Sequence, residues 1–96
     1  MDIAGLIREK RQTILEIARR HGAKNVRVFG SVARRESTEE SDVDFLIEVE
    51  GPTSPWFPGG LVAELEALLG RRVDVVELAS LRESMKERIL KEAVSL

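Results

Sequence analysis

The chain has 96 residues, 33% of them charged and 43% apolar, with a formal net charge of −2, which fits one soluble domain spanning 1–96 rather than a disordered tail. The slight acidity argues against strong nucleic-acid binding through bulk charge, although Lys10-Arg11, Arg19-Arg20, Arg34-Arg35 and Arg71-Arg72 form local basic pairs. The absence of cysteine excludes disulfides and thiolate zinc sites, and no apolar run approaches the roughly 20 residues of a membrane span, so no membrane association is expected.

Residues 3–20 predict an amphipathic helix, because Ile3, Leu6, Ile7, Ile14, Leu15, Ile17 and Ala18 recur near a 3.6-residue period. Gly22 stands where a helix-ending glycine belongs, and His21 reads as a helix-terminal residue with no catalytic role. Val26-Arg27-Val28-Phe29 predicts a short strand that stops at Gly30-Ser31. The polar segment 32–41 predicts a short helical turn followed by a loop.

Residues 42–49 predict a second strand. Its alternation puts Val43, Phe45, Ile47 and Val49 on one face and Asp42, Asp44, Leu46 and Glu48 on the other. All three prolines fall in 51–60, which must be a loop. Residues 61–69 predict a helix closed by Gly70, and a third strand follows around Val73-Asp74-Val75-Val76. Ser80 and Glu83 have the spacing of a capping box, which predicts a last helix to about Ala93 that turns Leu81, Met85, Ile89, Leu90 and Ala93 to the core. The order α-β-(short α)-β-α-β-α describes a two-layer α/β (α+β) domain around a mixed three-stranded sheet.

Chemistry concentrates in three places. Asp42 and Asp44, two residues apart on a strand, aim two carboxylates at one patch, and a hard divalent cation such as magnesium relieves their repulsion. Gly30-Ser31 supplies a turn of free N–H groups and a hydroxyl that together suit a phosphate. Asp74 is a charge inside a valine-rich strand, and a metal shared with Asp42 and Asp44 accounts for it. Antiparallel pairing of the first two strands, then a crossover into the third, would bring all of these together. Trp56 and Phe57, set between prolines, either dock a partner or cover the core of the domain.

Phe29-Gly30-Ser31-Val32-Ala33-Arg34, then Ser41-Asp42-Val43-Asp44, then Leu69-Gly70-Arg71-Arg72-Val73-Asp74-Val75-Val76, resembles the minimal nucleotidyltransferases of the DNA polymerase β-like superfamily. The likeness runs from about residue 14 to the C-terminus. It departs at Arg35, where relatives often carry glycine. The resemblance implies a nucleotidyltransferase that holds the β- and γ-phosphates of ATP on Gly30 and Ser31. Asp42 and Asp44 would bridge two Mg2+ ions, and Asp74 would complete one metal site. It further implies transfer of AMP to a tyrosine hydroxyl of a HEPN-type helical ribonuclease toxin, the chain being its antitoxin. Separately, an N-terminus without a basic head and apolar stretch makes the cytoplasm the expected location. Two other readings are a binding-only antitoxin and a transferase acting on a small molecule or an RNA end.

Overall fold

The computed structural model describes residues 2–96. Helix α1 (Ile3–Glu9) is capped by the Asp2 carboxylate, which accepts from the Gly5 N–H at 2.8 Å. Helix α2 (Arg11–Arg20) follows after a break at Lys10, so the predicted 3–20 helix is two. The apolar stripe explains the break: Ile7 and Ile14 are buried, but the positions between them that should continue the stripe are Lys10 and Arg11. Lys10 is only half-buried, and Arg8, Glu9 and Arg11 to Thr13 are exposed, so the junction lies outside the core.

Strand β1 (Ala23–Phe29) begins three residues before the predicted strand. Its first part is bulged between Lys24 and Arg27, with Asn25 in the left-handed region at φ 51°. Asparagine tolerates that conformation, and the bulge hides the strand from a reading based on alternation. A short helix α3 (Gly30–Ala33) and a loop lead to β2 (Val43–Val49). Helix α4 (Gly59–Leu69) crosses to β3 (Val73–Glu77), and Gly22 and Gly70 both take the left-handed conformation expected after a helix.

The sheet has four strands in the order β3-β2-β1-β4, where β4 is Val94–Ser95. This corrects the three-stranded expectation. Val94 and Ser95 pair antiparallel with Val28 and Arg27, and the Leu96 N–H reaches the Val26 carbonyl at 3.1 Å. Two residues are too few to show a period, so the sequence predicts the helix to about Ala93 and no strand after it. β1 and β2 are antiparallel and β2 and β3 parallel, as the proposed crossover requires.

One sheet face builds the main core, with Val43, Phe45 and Ile47 packed among Ile14, Leu61 and Leu65. The other face is not simply polar. Leu46 is fully buried there, outside the main cluster, and helix α5 (Glu83–Glu92) packs over β1. Helix α5 does not use the expected capping box. Its N-cap is Arg82, while the Ser80 hydroxyl donates back to the Glu77 carbonyl at 2.8 Å within a 3-10 turn, Leu78–Ser80. Of the α5 residues expected in the core only Ile89 is buried; Met85 and Leu90 are exposed. Among the described residues, no helix is long and apolar enough to cross a membrane.

Candidate active site

The parallel register of β2 on β3 pairs Asp44 directly with Asp74, so both carboxylates leave the sheet on the same side, in neighbouring strands. Asp42 lies just ahead of β2, where its Oδ1 forms an ion pair with Nε of Arg72 at 3.1 Å. Asp42 and Asp74 are exposed and Asp44 is half-buried. Partial burial raises the Asp44 carboxyl above its ordinary pKa, and the negative charges of Asp74 and then Asp42 push it further the same way. Arg34 opposes this and Glu92 adds to it.

An anionic patch that resists its own ionisation is the chemistry a divalent cation relieves, so the donor set fits magnesium. The arrangement is open. Among the described residues no three acidic or histidine side chains close around one point. Magnesium is commonly held by one or two carboxylates with water and substrate oxygens completing the shell.

The Gly30-Ser31 turn meets this patch because Phe29 pairs with Asp44 across the antiparallel register. Gly30 is needed for two separate reasons. Its φ of 73° lies in the left-handed region, and a Cβ there would collide with the Asp44 carboxylate. The Gly30 N–H donates to Oε1 of Glu92 at 2.6 Å, and Nη1 of Arg34 donates to the same oxygen at 3.0 Å.

A cleft of about 810 Å³ opens at this point. Gly30, Ser31, Asp42 and Asp44 form one wall, and Met85, Arg88, Ile89 and Glu92 of α5 form the other. Asp74 stands beside Asp44 but does not line the cleft. The size is that of a small-molecule site. The loop carrying Ser41 and Asp42 is braced from the turn ahead of β3: Nη2 of Arg71 donates to the carbonyls of Thr38 and Ser41 at 2.6 and 2.7 Å. Arg71 and Arg72, noted in the sequence only as a basic pair, therefore both serve this loop.

The α5 wall was not foreseen. Glu92 touches Gly30 across 62 residues of chain, and no short-range pattern encodes such a contact. The exposed apolar residue Met85 and the buried Ile89 gave a partial signal, since the stripe taken for core belongs in part to the cleft. Away from the cleft, Nδ1 of His21 hydrogen-bonds Ser54 Oγ and Nε2 hydrogen-bonds Glu64, tying loop 51–58 to α2 and α4. Phe57 of that loop packs against the core, whereas Trp56 is 90% exposed.

Three comparisons place this geometry. The nucleotidyltransferase domain family matches residues 10–96. The chain is 41% identical over 90 residues to MJ0435 of Methanocaldococcus jannaschii, an inferred protein adenylyltransferase, across 94% of this chain and 97% of that one. It is 42% identical over 79 residues to protein adenylyltransferase MntA of Thermococcus cleftensis, across 82% and 80% of the two chains. A solved structure of an inferred minimal nucleotidyltransferase matches with a TM-score of 0.87 and 43% identity, over 100% of this chain and 97% of that one. A toxin-antitoxin crystal structure with AMP-PNP shares the fold at a TM-score of 0.74 and 19% identity, over 88% of this chain and 69% of that one. With the family matched along almost all of its length, and with the sheet, turn and acidic row built as described, the chain belongs to the nucleotidyltransferase family.

Proposed function

We propose that this chain transfers AMP from ATP to a hydroxyl group of a partner protein, and that the partner is a HEPN-type ribonuclease toxin which the modification silences. The observation that carries the reading is the half-buried Asp44, set between Asp74 and Asp42 and packed against the Gly30 turn at the mouth of the cleft. The relative MntA, named as a protein adenylyltransferase, and the toxin-antitoxin neighbour with AMP-PNP support the substrate and the kind of partner. A cytoplasmic setting belongs to the same reading, since ATP is the substrate.

Asp42 and Asp44 would hold two magnesium ions, with Asp74 completing the second site; bound there, magnesium neutralises phosphate charge and makes the acceptor hydroxyl easier to deprotonate. The Gly30 N–H and the Ser31 hydroxyl donate to the β- and γ-phosphates. The acceptor oxygen forms a bond to the α-phosphorus as the bond from that phosphorus to the β-phosphate oxygen breaks, and pyrophosphate leaves. The exposed Asp74 carboxylate accepts the hydroxyl proton. The α5 wall keeps the nucleotide against the acidic row, so catalysis rests on positioning and charge rather than on a protein nucleophile.

Incubation with magnesium, labelled ATP and the candidate partner tests the reading. Label should move to the partner and vanish with Asp42→Asn. Protection by an Asp42→Asn chain that transfers nothing would instead establish sequestration, and label on a small molecule or RNA end would redirect the acceptor.

A further inference from the structure

Glu92 lines the cleft and occupies two anion-binding donors there. Its Oε1 takes the Gly30 N–H at 2.6 Å and Nη1 of Arg34 at 3.0 Å, and its side chain is 26% exposed. A carboxylate oxygen held by a backbone N–H and a guanidinium makes the contacts that a phosphate oxygen makes. Glu92 is also the last residue of α5, joined through Ala93 to the short strand that anchors the chain end to β1. Its position is therefore fixed from both sides.

From this geometry we infer that Glu92 is an internal stand-in for the terminal phosphates of the nucleotide, and that by competing with them it lowers the affinity of the cleft for triphosphates. The inference rests on the nucleotide reading above. A ligand reaches the Gly30 N–H only by displacing Glu92, and at Arg34, whose Nε also donates to Glu36, it competes with Glu92 for Nη1; once displaced the carboxylate remains close enough to repel the incoming phosphates. A nucleoside triphosphate brings several charged oxygens to this competition and prevails. AMP has no phosphate beyond the α position and leaves Glu92 where it is. Glu92 thereby weakens triphosphate binding while leaving the monophosphate untouched, which narrows the difference in affinity between the two, and pyrophosphate is expelled more readily after transfer, when Glu92 returns to Gly30 and Arg34.

The test compares the full chain with Glu92→Gln and Glu92→Ala by titration calorimetry with magnesium present, using ATP, inorganic triphosphate and AMP as probes. Replacing a partly exposed, charge-assisted contact should tighten ATP and triphosphate by roughly tenfold and leave AMP unchanged. In the nuclear magnetic resonance spectrum, the Gly30 amide proton should move upfield in Glu92→Ala without ligand, a readout that does not depend on nucleotide binding. Unchanged or weaker triphosphate binding in both variants, with the parent chain still binding ATP, overturns the inference and leaves the transferase reading standing. A Gly30 amide unmoved in a folded Glu92→Ala chain overturns it as well. Failure of ATP to bind the parent and both variants overturns the inference together with the nucleotide reading on which it rests.

Discussion

Replacing Asp44 with asparagine should make the protein more stable while abolishing transfer. Side chains paired across neighbouring strands lie roughly 5 Å apart. Two unit charges at that distance repel by about 1 kcal/mol at an effective dielectric near 60, suited to a half-exposed site screened by solvent. Asp74 provides that repulsion, Asp42 adds less because Arg72 pairs with it, and partial burial makes the charge costlier still. Asparagine keeps the shape and removes the charge, so a gain of about 1 kcal/mol is expected, or roughly 4–8 °C in Tm for a domain of this size. The pH dependence follows from the raised carboxyl pKa. Between its ordinary value and its folded value the native state binds the extra proton, so parent stability falls as pH rises through that window. The advantage of Asp44→Asn should therefore be complete above the folded value and disappear below the ordinary one. Calorimetric melts from pH 3 to 8, with and without magnesium, measure all of this. Magnesium should raise the parent Tm and close most of the gap, because it binds the native acidic row. A variant that melts no higher than the parent at pH 7, or whose gain persists undiminished at pH 3, refutes the account of Asp44 as a repelled charge.

Gly30→Ala should abolish ATP binding and lower stability by about 1–3 kcal/mol, because it adds left-handed strain to a collision with the Asp44 carboxylate; calorimetry and a melt separate the two losses. The hydrogen bond from His21 holds the Glu64 carboxyl below its ordinary range, with Arg20 helping, so its contribution is present above the ordinary value and is lost as pH falls through the folded one. Glu64→Gln should accordingly flatten the acid limb of the stability curve and speed proteolytic nicking in loop 51–58, while a limb unchanged from the parent counts against the latch. Trp56, the single tryptophan, should emit like a solvated indole, and Trp56→Ala should shift stability by no more than about 0.5 kcal/mol. A blue shift of that emission on mixing with the partner would mark loop 51–58 as a docking surface; emission that is already blue in the free chain contradicts its exposure.

Much of the site could be read from sequence because its parts obey local rules. Alternation put Asp42 and Asp44 on the face opposite Val43, Phe45 and Ile47, and the core contains those three apolar residues. The requirement that Gly30 and the acidic pair meet led to an antiparallel first pairing, and the parallel register then set Asp74 beside Asp44. What escaped depends on distance along the chain or on competition. Ser80 had the spacing of a cap, but its hydroxyl donates to the Glu77 carbonyl within the 3-10 turn and Arg82 takes the N-cap position. Met85 follows helical spacing yet stays exposed because it lines the cleft, while Leu90 is exposed outside it. Arg35 sits at φ 61°, the left-handed conformation for which glycine is suited, which accounts for the glycine that relatives often carry at this position.

The same few residues serve fold and chemistry in opposite directions, and this constrains how so short a chain works. Leu46, Phe45 and Ile47 hold β2 rigidly in the middle of the sheet, so Asp44 cannot retreat from Asp74 or from Gly30. A flexible acidic segment would relax its repulsion by moving apart, and it would then bind a cation weakly. Here the strand register forbids that relaxation, so the repulsion is stored until a cation and phosphates arrive. Glu92 acts from the other wall: the Gly30 N–H and Arg34 are preassembled and kept engaged by its carboxylate, so that little reorganisation remains when the nucleotide replaces it.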